Sequence, residues 1–334
     1  MKFNITRLSL ATTSIITLSL LVLFCNKALL YPLDFEQTGL LPIANQINNF
    51  FAQQTTYIQA IVAAFIMIIC AMKLTRVVAR YSVFKGRTYM PAIIFTIFAG
   101  YFLELNQISI LGAIFYLICF IESLYNTLKD PNASGKVLLA YTYLGLAIML
   151  CPQACIYALM VPLGMTIINS SWAYALAALV GLMIPISTYG YVSHFFLDYP
   201  ASGIIDIYAN ILVDNSGFIV ESIQIVDYKN PYDIATALFA LTTLISTILA
   251  FVWSYSNSEN MRTRQSKSFR LTSYLILLGT FTMLSCIEPA KFLGFLAIPL
   301  SIIIPSFYIY RQSKITSLLY VLLLISSIAS LALR

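Results

Sequence analysis

Apolar runs of helix length recur from one end of this chain to the other, and no other feature constrains its fold so tightly. They cover 8–24, 57–72, 89–103, 107–126, 137–151, 154–169, 172–197, 232–254, 271–287, 292–310 and 315–333, about eleven spans. A bilayer core about 30 Å thick takes roughly 20 helical residues to cross, because lipid offers no partner for a backbone N–H or C=O. Outer-membrane strands would alternate apolar and polar residues, and these runs do not. Composition agrees: 60% of the residues are hydrophobic and 10% charged, against roughly 25% charged in a soluble domain. The expected fold is all-α, a polytopic transmembrane helical bundle forming a single integral membrane domain over 1–334.

Charge sets the orientation. With the N-terminus inside, the cytoplasmic segments hold Lys2, Arg7, Lys73, Arg76, Arg80, Lys85, Arg87, Lys129, Lys136, Arg262, Arg264, Lys267, Arg270, Arg311 and Lys314, fifteen of the nineteen basic residues. Lys27, Lys229, Lys291 and Arg334 fall outside. Lys and Arg near span ends favour the cytoplasmic side, so the N-terminus is expected inside and the C-terminus outside, in a bacterial inner membrane. Runs 137–151 and 154–169 are split only by Pro152 and Gln153. Read as one bent span, they would move every later connection across the membrane and put the basic 259–270 segment outside, so two spans are expected. The net charge of +6 is thus an orientation signal and implies no nucleic acid. The cluster Lys73, Arg76, Arg80, Lys85 and Arg87 suits membrane lipid as a partner, each basic side chain contributing on the order of 1 kcal/mol near anionic headgroups.

The first run resembles a signal peptide in its basic flank, but no small-x-small cleavage site follows, and bulky Phe24 precedes Cys25. An uncleaved first helix is expected. The cysteines lie mostly in apolar runs, where they act as small hydrophobes. Trp172, Trp253 and many tyrosines lie near span ends, where aromatic belts form.

Two outer segments are long. In 25–56, Ile43, Ile47, Phe50 and Phe51 recur at helical spacing, with Asn45, Gln46, Asn48, Asn49 and Gln53 on the other faces. Pro42 suits the first turn, so a helix lying on the outer membrane surface is expected. The 198–231 segment reads as a structured outer cap.

Asp34 and Glu36 follow the first span, Glu104 the third, Asp198 the seventh and Glu288 the ninth, all toward the outside. Neighbouring carboxylates raise one another's pKa, which suits one of them to general-base work if they share a pocket. Solvated loop residues are the simpler reading. His194 and Asp198 are four apart and share a face on a continuing helix, as an acid–base pair, a metal-site fragment or an interfacial polar pair. Glu122 is the one acid within a span, a functional candidate by position. It is also about two turns from Lys129, within reach of the interface or of a neighbouring helix. No phosphate-cradling Gly-rich loop, HExxH or GxSxG occurs.

The stretches "YIQAIVAAFIMIICAMKLTRVVARYSVFKGRTYMPAIIF" (57–95), "SSWAYALAALVGLMIPI" (170–186) and "FLAIPLSIIIPSFY" (295–308) resemble an uncharacterised family of multi-pass inner-membrane proteins of Bacteroidetes-type bacteria. That family implies no activity. The long first outer loop with an acidic pair and surface helix, followed by paired short helices, resembles the GT-C class of membrane glycosyltransferases. This resemblance implies a polyprenyl-phosphate-linked sugar donor at the outer face, with Asp34 as base and Glu36 beside it. His194, Asp198, Glu288 and Lys291 become the candidate substrate-binding residues. No cofactor is expected, and a divalent metal is compatible with the acidic face. The chain departs from the class in its Asp-x-Glu pair, its missing soluble domain and its few outward basic residues. A non-catalytic scaffold of an envelope or secretion assembly is the alternative.

Overall fold

A computed structural model describes residues 15–20, 22, 42–81, 83–84, 88–102, 108–128, 134–168, 172–196, 231–257, 261, 263–285, 289–311 and 313–333. Residues 15–20 and 22 are helical. The further helices are α1 (Pro42–Ala52), α2 (Thr56–Arg80), α3 (Met90–Phe102), α4 (Ile108–Thr127) and α5 (Ser134–Leu150). A 3₁₀ segment (Pro152–Leu159) leads into α6 (Met160–Ile168), then α7 (Trp172–Phe196), α8 (Pro231–Ser256), α9 (Thr263–Ser285), α10 (Pro289–Tyr310) and α11 (Lys314–Leu333). Proline opens α1, the 3₁₀ segment, α8 and α10, where its missing N–H costs no hydrogen bond. No strand occurs among the described residues.

By length and composition, four helices can cross a bilayer: Thr56–Arg80, Ile108–Thr127, Trp172–Val192 and Ile234–Ser256. Met90–Gly100, Ser134–Leu150, Pro152–Ile168, Gly294–Tyr310 and Lys314–Ser330 are shorter apolar helices. The long helices differ in where they sit: 78% of the apolar window of α4 is buried, against 28% for α7 and α8. The outer helices turn Leu176, Leu179, Val180 and Met183, and Leu241, Leu244, Ile248 and Val252, outward. Apolar rows of this length suit hydrocarbon rather than water.

Side-chain contacts give the helix directions. Arg80 and Lys73 of α2 meet Glu122 near the end of α4, and α1, just before α2, meets Ser109 at the start of α4, so α2 and α4 are parallel. Gly112 faces Leu150 and Phe120 faces Tyr141, which makes α4 and α5 antiparallel. Gly181 of α7 lies against the Leu138 carbonyl of α5, while Gly145 lies against Leu182 and Pro185. Both sequences advance together, so α5 and α7 run the same way. The chain therefore reverses between them, and Cys151 marks the break with its extended backbone before Pro152. In α9 and α10, Gly279 faces Leu296 and Gln265 bonds Tyr310, an antiparallel pair. Ser246 bonds Tyr308 and Trp253 stacks on Tyr310 at 4.7 Å, so α8 and α10 are parallel.

These directions gather Lys73, Arg76, Arg80, Lys136, Lys267, Arg270, Arg311 and Lys314 at one end of the bundle, hereafter the basic end. The helix α1 lies at the other. The expected spans 57–72 and 271–287 differ from the helices in a revealing way. Helix α2 continues eight residues past the apolar run, and α9 starts eight residues before it. Leu74, Val77 and Val78 stay buried along the extension of α2, so it is amphipathic helix rather than connecting loop.

Candidate functional site

The end opposite the basic end is where the sequence puts the chemistry, and α1 is its described part. Eleven residues make a marginal helix in isolation, so α1 depends on what it docks against. Asn48, 1% exposed, is the lock. Its Oδ1 accepts from the Ser109 backbone N–H at 3.1 Å, and its Nδ2 donates to Ser109 Oγ at 2.9 Å. Ser109 sits in the first turn of α4, where backbone N–H groups lack helical acceptors, so a side chain from α1 caps α4. Gln59 holds the other end of α1, its Nε2 donating to the carbonyls of Phe51 at 2.8 Å and Gln54 at 3.1 Å.

The expected helix after Pro42 is present, but its buried face is different. Ala44 and Asn48, one turn apart, face the bundle, while Phe50 is 61% exposed. A small residue and an amide dock against α4, and Phe50 is left at the outer edge.

Asp34, Glu36, Asp198 and Glu288 lie outside the described residues, as do Glu104 and nearly all of the 198–231 cap. His194 and Lys291 fall on the backbone of α7 and α10, and their side chains lie outside the described residues. Helix directions put both positions at the α1 end: α7 parallels α5, which leads away from the basic end, and α10 arrives at the basic end with Tyr310. Shared placement at one end is the extent of their association. Among the described residues, no three His, Cys, Asp or Glu side chains are grouped to hold a metal.

Glu122 has a definite environment at the basic end. Its Oε2 lies 3.5 Å from Lys73 Nζ, and its Oε1 accepts from Arg80 Nη1 at 3.3 Å. Lys73 also lies 5.0 Å from the centre of the Phe115 ring. One carboxylate between two cations on the adjacent helix is an ion-paired clasp between α2 and α4. A proton or ion relay needs an acid open to a water path. Packing between Lys73 and Arg80 counts against that role.

The same end carries polar ties that apolar patterning does not reveal. Gln265 Nε2 donates to the Val83 carbonyl at 2.6 Å and to Tyr310 Oη at 2.7 Å, joining the segment after α2 to α9 and α10. Thr272 Oγ1 donates to the Ser268 carbonyl, so Tyr125 Oη is the donor in its 2.5 Å bond to Thr272. Among the described residues, Cys70, Cys119, Cys151 and Cys155 form no disulfide, and the Cys151 thiol donates to Gln153 Oε1. Comparison with known protein families, curated proteins and solved structures finds no match to this chain.

Proposed function

We propose that this chain is a multi-pass protein of the bacterial inner membrane, with eleven spans, its N-terminus inside and its C-terminus outside, acting at the outer face of the cell envelope. The separation of its two ends carries this reading: basic side chains cluster at one, and α1 is locked across the other by Asn48 and Ser109. The preference of Lys and Arg for the cytoplasmic side assigns the basic end inward. Asp34 and Glu36, eight and six residues before Pro42, then belong to the outer face beside α1.

In its most specific form the protein is a GT-C-like transferase using a polyprenyl-phosphate-linked sugar. Asp34 takes the proton of an acceptor hydroxyl as the oxygen bonds to the sugar carbon, and the polyprenyl phosphate leaves with the electron pair of the broken C–O bond. Glu36 supports the base, and Lys291 supplies positive charge for the phosphate. A docked surface helix directly after the acidic pair supports this reading.

The alternative is a non-catalytic scaffold of an envelope or secretion assembly. Glu122 favours it, since the acid written within a span serves as an inter-helix clasp.

Polyprenyl-linked sugars extracted from a deletion strain separate the two. On the transferase reading they accumulate, and Asp34→Asn at normal membrane abundance fails to clear them. Clearance by D34N removes Asp34 as base. The scaffold reading predicts tolerance of D34N and loss of function when 198–231 is altered.

A further inference from the structure

Helices α8 and α9 are consecutive but barely touch, because α9 packs against α10 instead. The divergence opens a cleft of about 410 Å³ at the basic end. This falls within the roughly 300–1,000 Å³ of pockets that hold one small molecule. Phe251 and Phe269 wall it, and Tyr255, Ser266, Arg270 and Tyr274 bring polar atoms to it.

Polar groups line the cleft along α9 from Ser266 through Arg270 to Ser273 and Tyr274, and apolar surface flanks it further from the basic end. Within the cleft Arg270 is exposed and has no ion-pair or hydrogen-bond partner among the described residues, and Lys267 is one turn away on α9. Among the described residues no lining side chain is acidic, so an ammonium headgroup has no described carboxylate to meet there, whereas an anion meets a guanidinium. Deeper in the bilayer the flanking surface is apolar: Val252, Ile248 and Leu244 succeed one another along α8, and Leu277 lies two turns beyond Arg270 on α9. A phosphate at Arg270 with hydrocarbon along that track matches the cleft in charge, size and direction. Guanidinium forks pair with phosphate oxygens bidentately, and the Ser266 and tyrosine hydroxyls supply further donors.

We infer that this cleft binds the phosphodiester headgroup of an anionic phospholipid, whose acyl chains lie along the exposed apolar track of α8 and α9. That the lipid belongs to the cytoplasmic leaflet rests on the orientation proposed above.

Native mass spectrometry of the full chain, released from nanodiscs containing equal phosphatidylglycerol and phosphatidylcholine, reads the preference directly. Wild type is expected to retain phosphatidylglycerol selectively. Arg270→Gln is expected to reduce that selectivity roughly tenfold, as loss of one charged hydrogen-bonding group implies. Ser266→Trp fills the cleft without changing charge and should abolish retention. Arg270→Lys should keep part of it. The inference is overturned if wild type shows no preference, if both R270Q and S266W retain it, or if millimolar inorganic phosphate displaces the lipid, which would make the site one for a free anion. Labelling of Ser266→Cys by a membrane-impermeant maleimide is expected only from the cytoplasmic side. Labelling from outside would sink the orientation while leaving headgroup binding standing.

Discussion

Replacing Asn48 with Ala tests the lock that holds α1 to the bundle. Two hydrogen bonds disappear, the one Oδ1 accepts from the Ser109 N–H and the one Nδ2 donates to Ser109 Oγ, each with a net worth of about 0.5–1.5 kcal/mol. The loss is at the upper end of the range because Asn48 and Ser109 are each 1% exposed. The Ser109 N–H, in the first turn of α4, is left buried without an acceptor, a penalty of about 1–3 kcal/mol that overlaps the first bond. The expected destabilisation is about 2–3 kcal/mol. Ser109→Ala keeps the backbone bond and should cost only about 1 kcal/mol, and the double variant should show a coupling of about that size. Unfolding by anionic detergent in mixed micelles measures the global change, with a thiol-reactive dye reporting exposure of buried Cys70, Cys119 and Cys151. Amide exchange reads the local effect: residues 43–52 should lose protection first, since an undocked eleven-residue helix is marginal. A loss below about 0.5 kcal/mol, within the range of ordinary surface substitutions, together with unchanged exchange in α1, would refute the reasoning.

Two further substitutions probe the helix contacts. Glu122→Gln leaves Lys73 facing α4 without its counter-charge; because Arg80 is 55% exposed, its pair adds little, and about 1–2 kcal/mol of destabilisation is expected in the same micelle assay. Lys73→Met with Glu122→Leu removes both charges and should recover most of that loss; an undisturbed E122Q would show that the clasp is not structural. Gly181→Ala sets a methyl against the Leu138 carbonyl, a backbone atom that cannot swing aside, and should cost about 1–3 kcal/mol by forcing α5 and α7 apart. Gly190→Ala, whose added carbon meets nothing within 4 Å, is the matched control and should be neutral or slightly stabilising.

Hydropathy located nearly every helix, because an apolar run long enough to cross lipid has few other ways to satisfy its backbone. It missed the helical extensions at 73–80 and 263–270, where the apolar residues narrow to one face. For α1, periodicity identified the helix but selected Ile43, Ile47, Phe50 and Phe51 as its defining face. The residues that dock are Ala44 and Asn48. A close approach to another helix favours small side chains and hydrogen-bonding groups, and a hydrophobicity pattern gives these no weight. Exposure divides the aromatic residues: Tyr125, Tyr141, Tyr308 and Tyr320 are 3% exposed or less, while Trp172 at 79% and Tyr255 at 86% face outward. Glu122 gave a fair warning through its distance from Lys129, although its partners came from α2, which sequence spacing along one helix cannot indicate.

The buried tyrosines follow from the solvent. Between helices in lipid there is no hydrophobic drive to associate, because a leucine gains little by leaving hydrocarbon for protein, and association falls to close packing and polar contacts. Tyr125 and Tyr308 supply both, a large ring to fill the gap between helices and a hydroxyl to bond across it, while Tyr141 and Tyr320 supply packed rings. Tyr125 reaches Thr272 from α4 to α9, and Tyr308 reaches Ser246 at 2.7 Å from α10 to α8. Gln265 ties the segment after α2 to the start of α9 and the end of α10. Together with the Glu122 clasp, these bonds join α2, α4, α8, α9 and α10 at the basic end, whereas at the opposite end Asn48 ties the short helix α1 to α4 and Gln59 ties it to α2. A concentration of polar ties at the basic end, with the short helix α1 docked at the other, suits the outer-face role proposed above for this protein. It is also why Asn48, rather than any residue of the core, is the position where stability and the placement of the acidic pair can be tested together.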